Sequence, residues 1–203
     1  LLRSRYAPIF AQQSAQSKLR LSAALCLKSI MKLRNKIFIF VAATISLGFA
    51  LPEGRVIPVA GASSSDWNKD TFWYEPWGSS GVHKGVDIFA HKGAPAVSAT
   101  NMFILYTGSV PKGGNIVVGL GPKWRIHYFA HLDSVSESNG FLISAGTEIG
   151  RVGDTGNAAG KPAHMHYSIV SLLPLFWKID GATQGWKKAF YLNPLEYLAS
   201  AKA

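Results

Sequence analysis

Five of the six histidines in this 203-residue chain fall in three short stretches: His83-Lys-Gly-Val-Asp87, His127-Tyr-Phe-Ala-His131 and His164-Met-His166. Imidazole nitrogens and carboxylate oxygens suit Zn²⁺, and a site with three protein ligands keeps a fourth position open for water, as catalytic zinc requires. For that chemistry the stretches must converge on one point. On a strand, residues two apart face the same side, so His164 and His166 share a face while Met165 points to the other. His83 precedes a predicted strand and Asp87 lies within it, which lets a loop fold one ligand toward the other. His127 and His131 are four apart on a predicted strand and share a face by the same rule. His127 is read as a hydrogen-bonded histidine and His91 as a solvated loop residue. No histidine is followed by glutamate, which excludes the His-Glu-x-x-His helix of the commonest zinc proteases but not zinc itself.

The elements that must position these residues are short. Runs rich in β-formers at 86–90, 102–107, 115–120, 124–130, 148–152 and 164–170 are punctuated by Gly and Pro. Between 81 and 170 there is no helical period of useful length. Asn193 as a cap and Pro194 in the first turn predict a short C-terminal helix ahead of Leu195 and Leu198. The expectation is a mainly β, single-domain protein built on an antiparallel sheet. Cys26 is the only cysteine, so the chain has neither an internal disulfide nor a cysteine-based metal site.

The formal charge of +10 is uneven. Residues 1–50 hold Arg3, Arg5, Lys18, Arg20, Lys28, Lys32, Arg34 and Lys36 and no acid, leaving only +2 for everything that follows. Without a basic stripe interleaved with aromatics, the body of the chain is not read as binding nucleic acid. Met31 opens an export-like pattern of Lys32, Arg34 and Lys36, then an apolar run of 15 residues over 37–51 with the small residues Gly48 and Ala50 near its end. That run is short of the roughly 20 residues that span a bilayer. Residues 31–51 are therefore read as a signal peptide first and a membrane anchor second, and 1–30 as an upstream extension outside the fold. Residues 52–80 form an irregular aromatic segment whose Trp73, Tyr74 and Trp77 pack on the domain or border its groove. Residues 81–203 carry the histidines. On this reading the protein is exported and acts in the periplasm or cell envelope, anchored to the inner membrane or secreted, and meets a membrane only through its N-terminal segment.

Taken in order, these stretches resemble the lysostaphin-type, or LytM-like, zinc metalloendopeptidases that cut peptides in bacterial cell walls. The resemblance runs over 56–198. It rests on His83-Lys-Gly-Val-Asp-Ile-Phe-Ala90, Gly113-Gly-Asn115, Tyr128-Phe-Ala-His-Leu132, Gly150-Arg-Val-Gly-Asp-Thr-Gly-Asn-Ala158 and His164-Met-His166. It implies that 81–203 is a zinc peptidase catalytic domain, with the site in a groove across a small antiparallel sheet. His83, Asp87 and His166 would bind Zn²⁺, and His131 and His164 would be the catalytic pair. The implied substrate is the stem or cross-bridge peptide of peptidoglycan, hydrolysed by a metal-activated water. The alternatives are a non-catalytic LytM-like protein that binds the wall and activates other hydrolases, and a passive wall-binding module. Proteins of the activating kind typically have lost ligands, whereas all five key residues stand here. Departures from the family pattern are Met165 for leucine, a near volume-conserving change, and Ala94 and Met102 where threonine and glycine are more usual, the latter able to alter a strand or bulge. Gly150, Gly153 and Gly156 are read as turn glycines.

Overall fold

The computed structural model describes residues 7–136 and 140–201. Of the upstream stretch 1–30, residues 1–6, with Arg3 and Arg5, lie outside the described residues. The chain divides into two compact units, the second being Gly48–Ala203. Helix α1 (Ala7–Ala50) is continuous, and its Arg20–Ala50 portion of 31 residues is long and apolar enough to cross a membrane by length and composition. The uninterrupted apolar run is shorter because it stops at Lys36. The helix continues back through Lys36, Arg34 and Lys32 to a second apolar stretch with Leu21, Leu25, Leu27 and Ile30.

The second unit is mainly antiparallel β, as expected. Its strands are β1 (Val86–Phe89), β2 (Pro95–Val97), β3 (Met102–Val110), β4 (Gly114–Gly121), β5 (Arg125–Val135), β6 (Leu142–Ile143), β7 (Glu148–Val152), β8 (His164–Ser171) and β9 (Tyr191–Leu192). They form one sheet in the order β1-β8-β5-β4-β3-β6, with β7 joining β5 to β2 and β9 beside β8. The alternation that defines a half-buried strand is clear on β8. Met165, Tyr167 and Ile169 are buried in the core with Val86, Ile88, Phe129, Ile149 and Val152, while His164, His166 and Ser168 take the other face. Helix α2 (Pro194–Leu198) closes the unit, with the Asn193 side chain accepting from Leu195 N–H at 3.0 Å and Pro194 in its first turn. Met102 is buried and lies against Gly119 on the neighbouring strand, where a Cβ would overlap its sulfur. The irregularity on β3 falls between Ile104 and Tyr106, not at Met102.

One ion-pair cluster anchors the segment ahead of the sheet. The nearly inaccessible Glu53 carboxylate accepts from Arg125 at 2.6 Å and from Arg55 and Lys123 at 3.1 Å each. Burial alone would raise its pKa, but Arg125, Lys123 and Arg55 together outweigh that and hold it below the usual value. Because the folded pKa is depressed, the stabilisation is present above the unfolded value near 4.3 and is lost as pH falls through the folded one. Glu53→Gln is therefore expected to lower stability by about 2 kcal/mol at pH 7, somewhat less than a fully buried pair because the cations keep some solvent. The difference from wild type should shrink below about pH 4. Urea unfolding of the full chain at both pH values checks this, and a pH-independent difference would show that packing, not charge, is responsible.

Candidate metal centre

Strand register brings Asp87 and His166 together. Asp87 on β1 lies directly opposite His166 on β8, and Ala130 on β5 flanks His166 on its other side. Directly opposed side chains start about 5 Å apart at Cβ, and here Asp87 Oδ1 lies 2.8 Å from His166 Nδ1. His83 arrives from the loop before β1, with its Nε2 3.2 Å from Asp87 Oδ1 and 3.0 Å from His166 Nδ1. That loop is held by the aromatic segment. Trp73 N–H donates to the His83 carbonyl at 2.7 Å, His83 N–H donates to the Tyr74 carbonyl at 3.0 Å, and the Trp77 ring stacks on the His83 ring at 4.0 Å. Trp77 thus borders the groove, whereas Trp73 packs on Phe72 and Tyr191.

The hydrogen bonds assign the protons. A carbonyl only accepts, so His83 Nδ1–H donates to Thr71 O at 3.0 Å, and Nε2 is the nitrogen turned toward Asp87 and His166. His166 Nδ1 lies 2.8 Å from the Asp87 carboxylate, which only accepts, and His166 Nε2 lies 2.8 Å from the Ser168 hydroxyl, which can either donate or accept. Burial would raise the Asp87 pKa, but His166 and His83 hold its carboxyl far below the usual range, while burial lowers His166 despite Asp87 beside it. The outcome is an anionic Asp87 beside a neutral His166, the protonation state that metal binding needs. One ligand atom each from His83, Asp87 and His166 converge to within 3.2 Å of one another, a grouping that could hold a cation in place of the hydrogen bonds between them. Tetrahedral ligands about 2.0 Å from zinc lie about 3.3 Å apart, so the donor set fits zinc in kind and spacing. Gly85 is required nearby, because a Cβ there would come within 2.5 Å of Tyr167 O and 2.6 Å of the His166 ring.

His131 and His164 line the same groove, of about 620 Å³, with ring centroids 5.1 Å apart. His131 Nδ1–H donates to Thr155 O at 2.9 Å and His164 Nδ1–H to Pro162 O at 2.7 Å, so in the neutral form of either ring the lone pair falls on Nε2. Neither Nε2 has a hydrogen-bond partner among the described residues. Burial pulls His131 down to about 4, with the Thr155 carbonyl opposing it, so the ring is neutral at neutral pH.

His127 and His131 do not share a face, contrary to the expectation from their spacing. A register shift against β4 separates Phe129 from Leu132, and His131 adopts the left-handed conformation with φ 64°. That bulge turns His131 to the groove, while His127 stays in the core with Nδ1 2.7 Å from the Tyr167 hydroxyl. His91 lies in the turn after β1 and is not among the groove residues. The glycines also divide differently than expected. Gly156 has a positive φ of 67° in a turn, but Gly150 and Gly153 stand where the backbone of Asp133–Ser134 passes within 2.3 Å of where a Cβ would lie.

Residues 81–173 match Peptidase family M23. That segment, matched as a peptidase domain, contains the three candidate ligands and both groove histidines. Over 123 residues the chain is 34% identical to the L-Ala–D-Glu endopeptidase of Bacillus subtilis, covering 52% of this chain and 35% of that protein. Over 88 residues it is 28% identical to a peptidoglycan DD-endopeptidase of Vibrio cholerae, covering 43% of this chain and 20% of the relative. The chain therefore spans about a third or less of the curated relatives it matches. A LytM structure from Ruminococcus gnavus shares the fold at TM-score 0.54 and 24% identity, covering 78% of this chain and 64% of that one.

Proposed function

We propose that the domain is a zinc-dependent endopeptidase that hydrolyses peptide bonds in the stem or cross-bridge peptides of bacterial peptidoglycan. The observation that carries this reading is the convergence of ligand atoms from His83, Asp87 and His166 in a groove that His131 and His164 also line. The match of residues 81–173 to family M23 and the names of the curated relatives support the substrate class. His83, Asp87 and His166 would hold the metal. Zinc bound there supplies Lewis-acid polarisation of a carbonyl and draws the pKa of a water toward neutrality. His131 and His164 accept and return protons, since each presents a lone pair at Nε2 while its other nitrogen is tied to a carbonyl. Trp77 stacks on the buried His83 ring and shields it from solvent.

Purified full-length protein, loaded with zinc and incubated with peptidoglycan, is expected to release peptide fragments whose masses by mass spectrometry define the bond cut. Intact peptidoglycan after prolonged incubation with zinc-loaded protein would rule the peptidase reading out and favour a wall-binding role. The same reading puts the domain in the periplasm or cell envelope, with 31–51 serving as signal or anchor. N-terminal sequencing of the exported protein distinguishes cleavage near Ala50 from retention, and finding the whole chain in the cytosol would contradict export.

A further inference from the structure

The groove carries charge that the hydrolytic chemistry leaves unused. Lys84, Lys112 and Lys161 line it, and among the described lining residues the one carboxylate is Asp87, already bonded to His83 and His166. Several other lysines of this unit are paired with carboxylates: Lys92 lies 2.8 Å from Asp154 and 3.2 Å from Asp133, Lys123 lies 3.1 Å from Glu53, and Lys188 pairs with Asp180, while Lys187 donates to the Gln184 amide oxygen at 2.7 Å. Lys112 and Lys161 are exposed and have no carboxylate within ion-pair distance among the described residues. They stand on two loops joined to each other, since Asn157 N–H donates to the Lys112 carbonyl at 3.0 Å and Lys161 N–H closes the same turn onto Ala158 O at 3.0 Å. Lys84 is fixed at the groove wall by donating to the carbonyls of Ser80 at 2.9 Å and Val82 at 3.3 Å. A cleft lined by one sign of charge concentrates its field and attracts ligands of the other sign.

We propose that these lysines make the groove selective for peptides bearing free carboxylates close to the bond that is cut, over the same peptides amidated. This rests on the peptidase reading above and adds the substrate class to it. Lys112 and Lys161 act at the rim on substrate charge and not on the reacting atoms, so their effect falls on KM more than on kcat.

The test uses zinc-loaded full-length protein and two synthetic peptides that differ only in carboxylate against carboxamide. The carboxylate peptide is expected to have about tenfold higher kcat/KM at low ionic strength, the size two exposed ion pairs supply, and the ratio should contract as salt is raised. In the Lys112→Gln, Lys161→Gln double variant the ratio should fall toward one through KM. In the Lys112→Arg, Lys161→Arg variant it should persist. Equal rates on the two peptides, or a ratio unchanged in the glutamine variant, would overturn the proposal. Calorimetric binding of the same pair separates this from a failure of the peptidase reading. If neither peptide is cut yet the carboxylate form binds tighter, and that preference disappears in the glutamine variant, charge selection stands and hydrolysis falls. If neither is cut and both bind alike, both fall.

Discussion

Replacing His166 with alanine is expected to abolish zinc binding and, with it, hydrolysis. His166 lies opposite Asp87 and between β1 and β5, and its Nδ1 is within 3.0 Å of both other candidate ligand atoms. Removing it leaves two protein donors where catalytic zinc sites have three. The fold should survive. The His166 ring lies on the groove face of β8, so its loss opens space to solvent rather than a cavity among Met165, Tyr167 and Ile169. Ser168→Ala offers a graded comparison, because Ser168 Oγ is hydrogen-bonded to His166 Nε2 at 2.8 Å and so holds the ring with Nδ1 toward Asp87. Loss of such a supporting hydrogen bond typically costs about 10- to 100-fold in metal affinity. Metal content by mass spectrometry after dialysis, with circular dichroism to confirm the sheet, checks both variants. Full zinc occupancy in the folded alanine variant would remove His166 from the ligand set.

Much of this architecture is legible in the residue pattern, and what escapes does so for identifiable reasons. Six strands stand out because their alternation or β-rich composition extends over at least four residues, and the C-terminal helix because Asn193 and Pro194 are strong local signals. Strands β2, β6 and β9 have only two or three residues each, too few for a period to show. The long helix α1 was hidden by Lys32, Arg34 and Lys36, which interrupt an apolar run but not a helix. At the candidate site, the clustering of histidine and aspartate is visible in the sequence, and the structure brings His83, Asp87, His131, His164 and His166 to one groove. The groups that orient them are less visible. Thr71, Thr155 and Pro162 act through backbone carbonyls, which every residue possesses, so no side-chain pattern announces them. Ser168 did leave a signal, being a hydroxyl two positions after His166 on the same strand face. The bulge at His131 defeats period-two reasoning altogether, because one residue in the left-handed conformation exchanges the faces of everything beyond it.

His131→Ala and His164→Ala are each expected to retain zinc while losing at least about 100-fold in kcat, the lower end for a general acid–base group. Neither side chain belongs to the set of donor atoms that converge on the candidate metal position, so their removal should leave metal content unchanged. Their backbones should tolerate the change. His131 already has φ 64° without being glycine, and alanine meets the same steric penalty there. Its N–H bond to the Gly113 carbonyl at 2.7 Å does not involve the side chain. The proton inventory also orders the two possible roles. With Nδ1–H committed to Thr155 or Pro162, a neutral ring presents only an acceptor at Nε2, so it can take a proton before it can donate one. A ring that has accepted that proton becomes a donor suited to a departing amine or a developing oxyanion. His131, pulled down to about 4 chiefly by burial, is in the accepting form throughout the neutral range. Steady-state kinetics on a defined peptide, alongside zinc content, tests both residues. If the pair acts as one relay, the double variant should be little slower than the worse single one, because effects within a catalytic unit do not add. A single variant that turns over near the wild-type rate would exclude that residue from the relay, whatever its place in the groove.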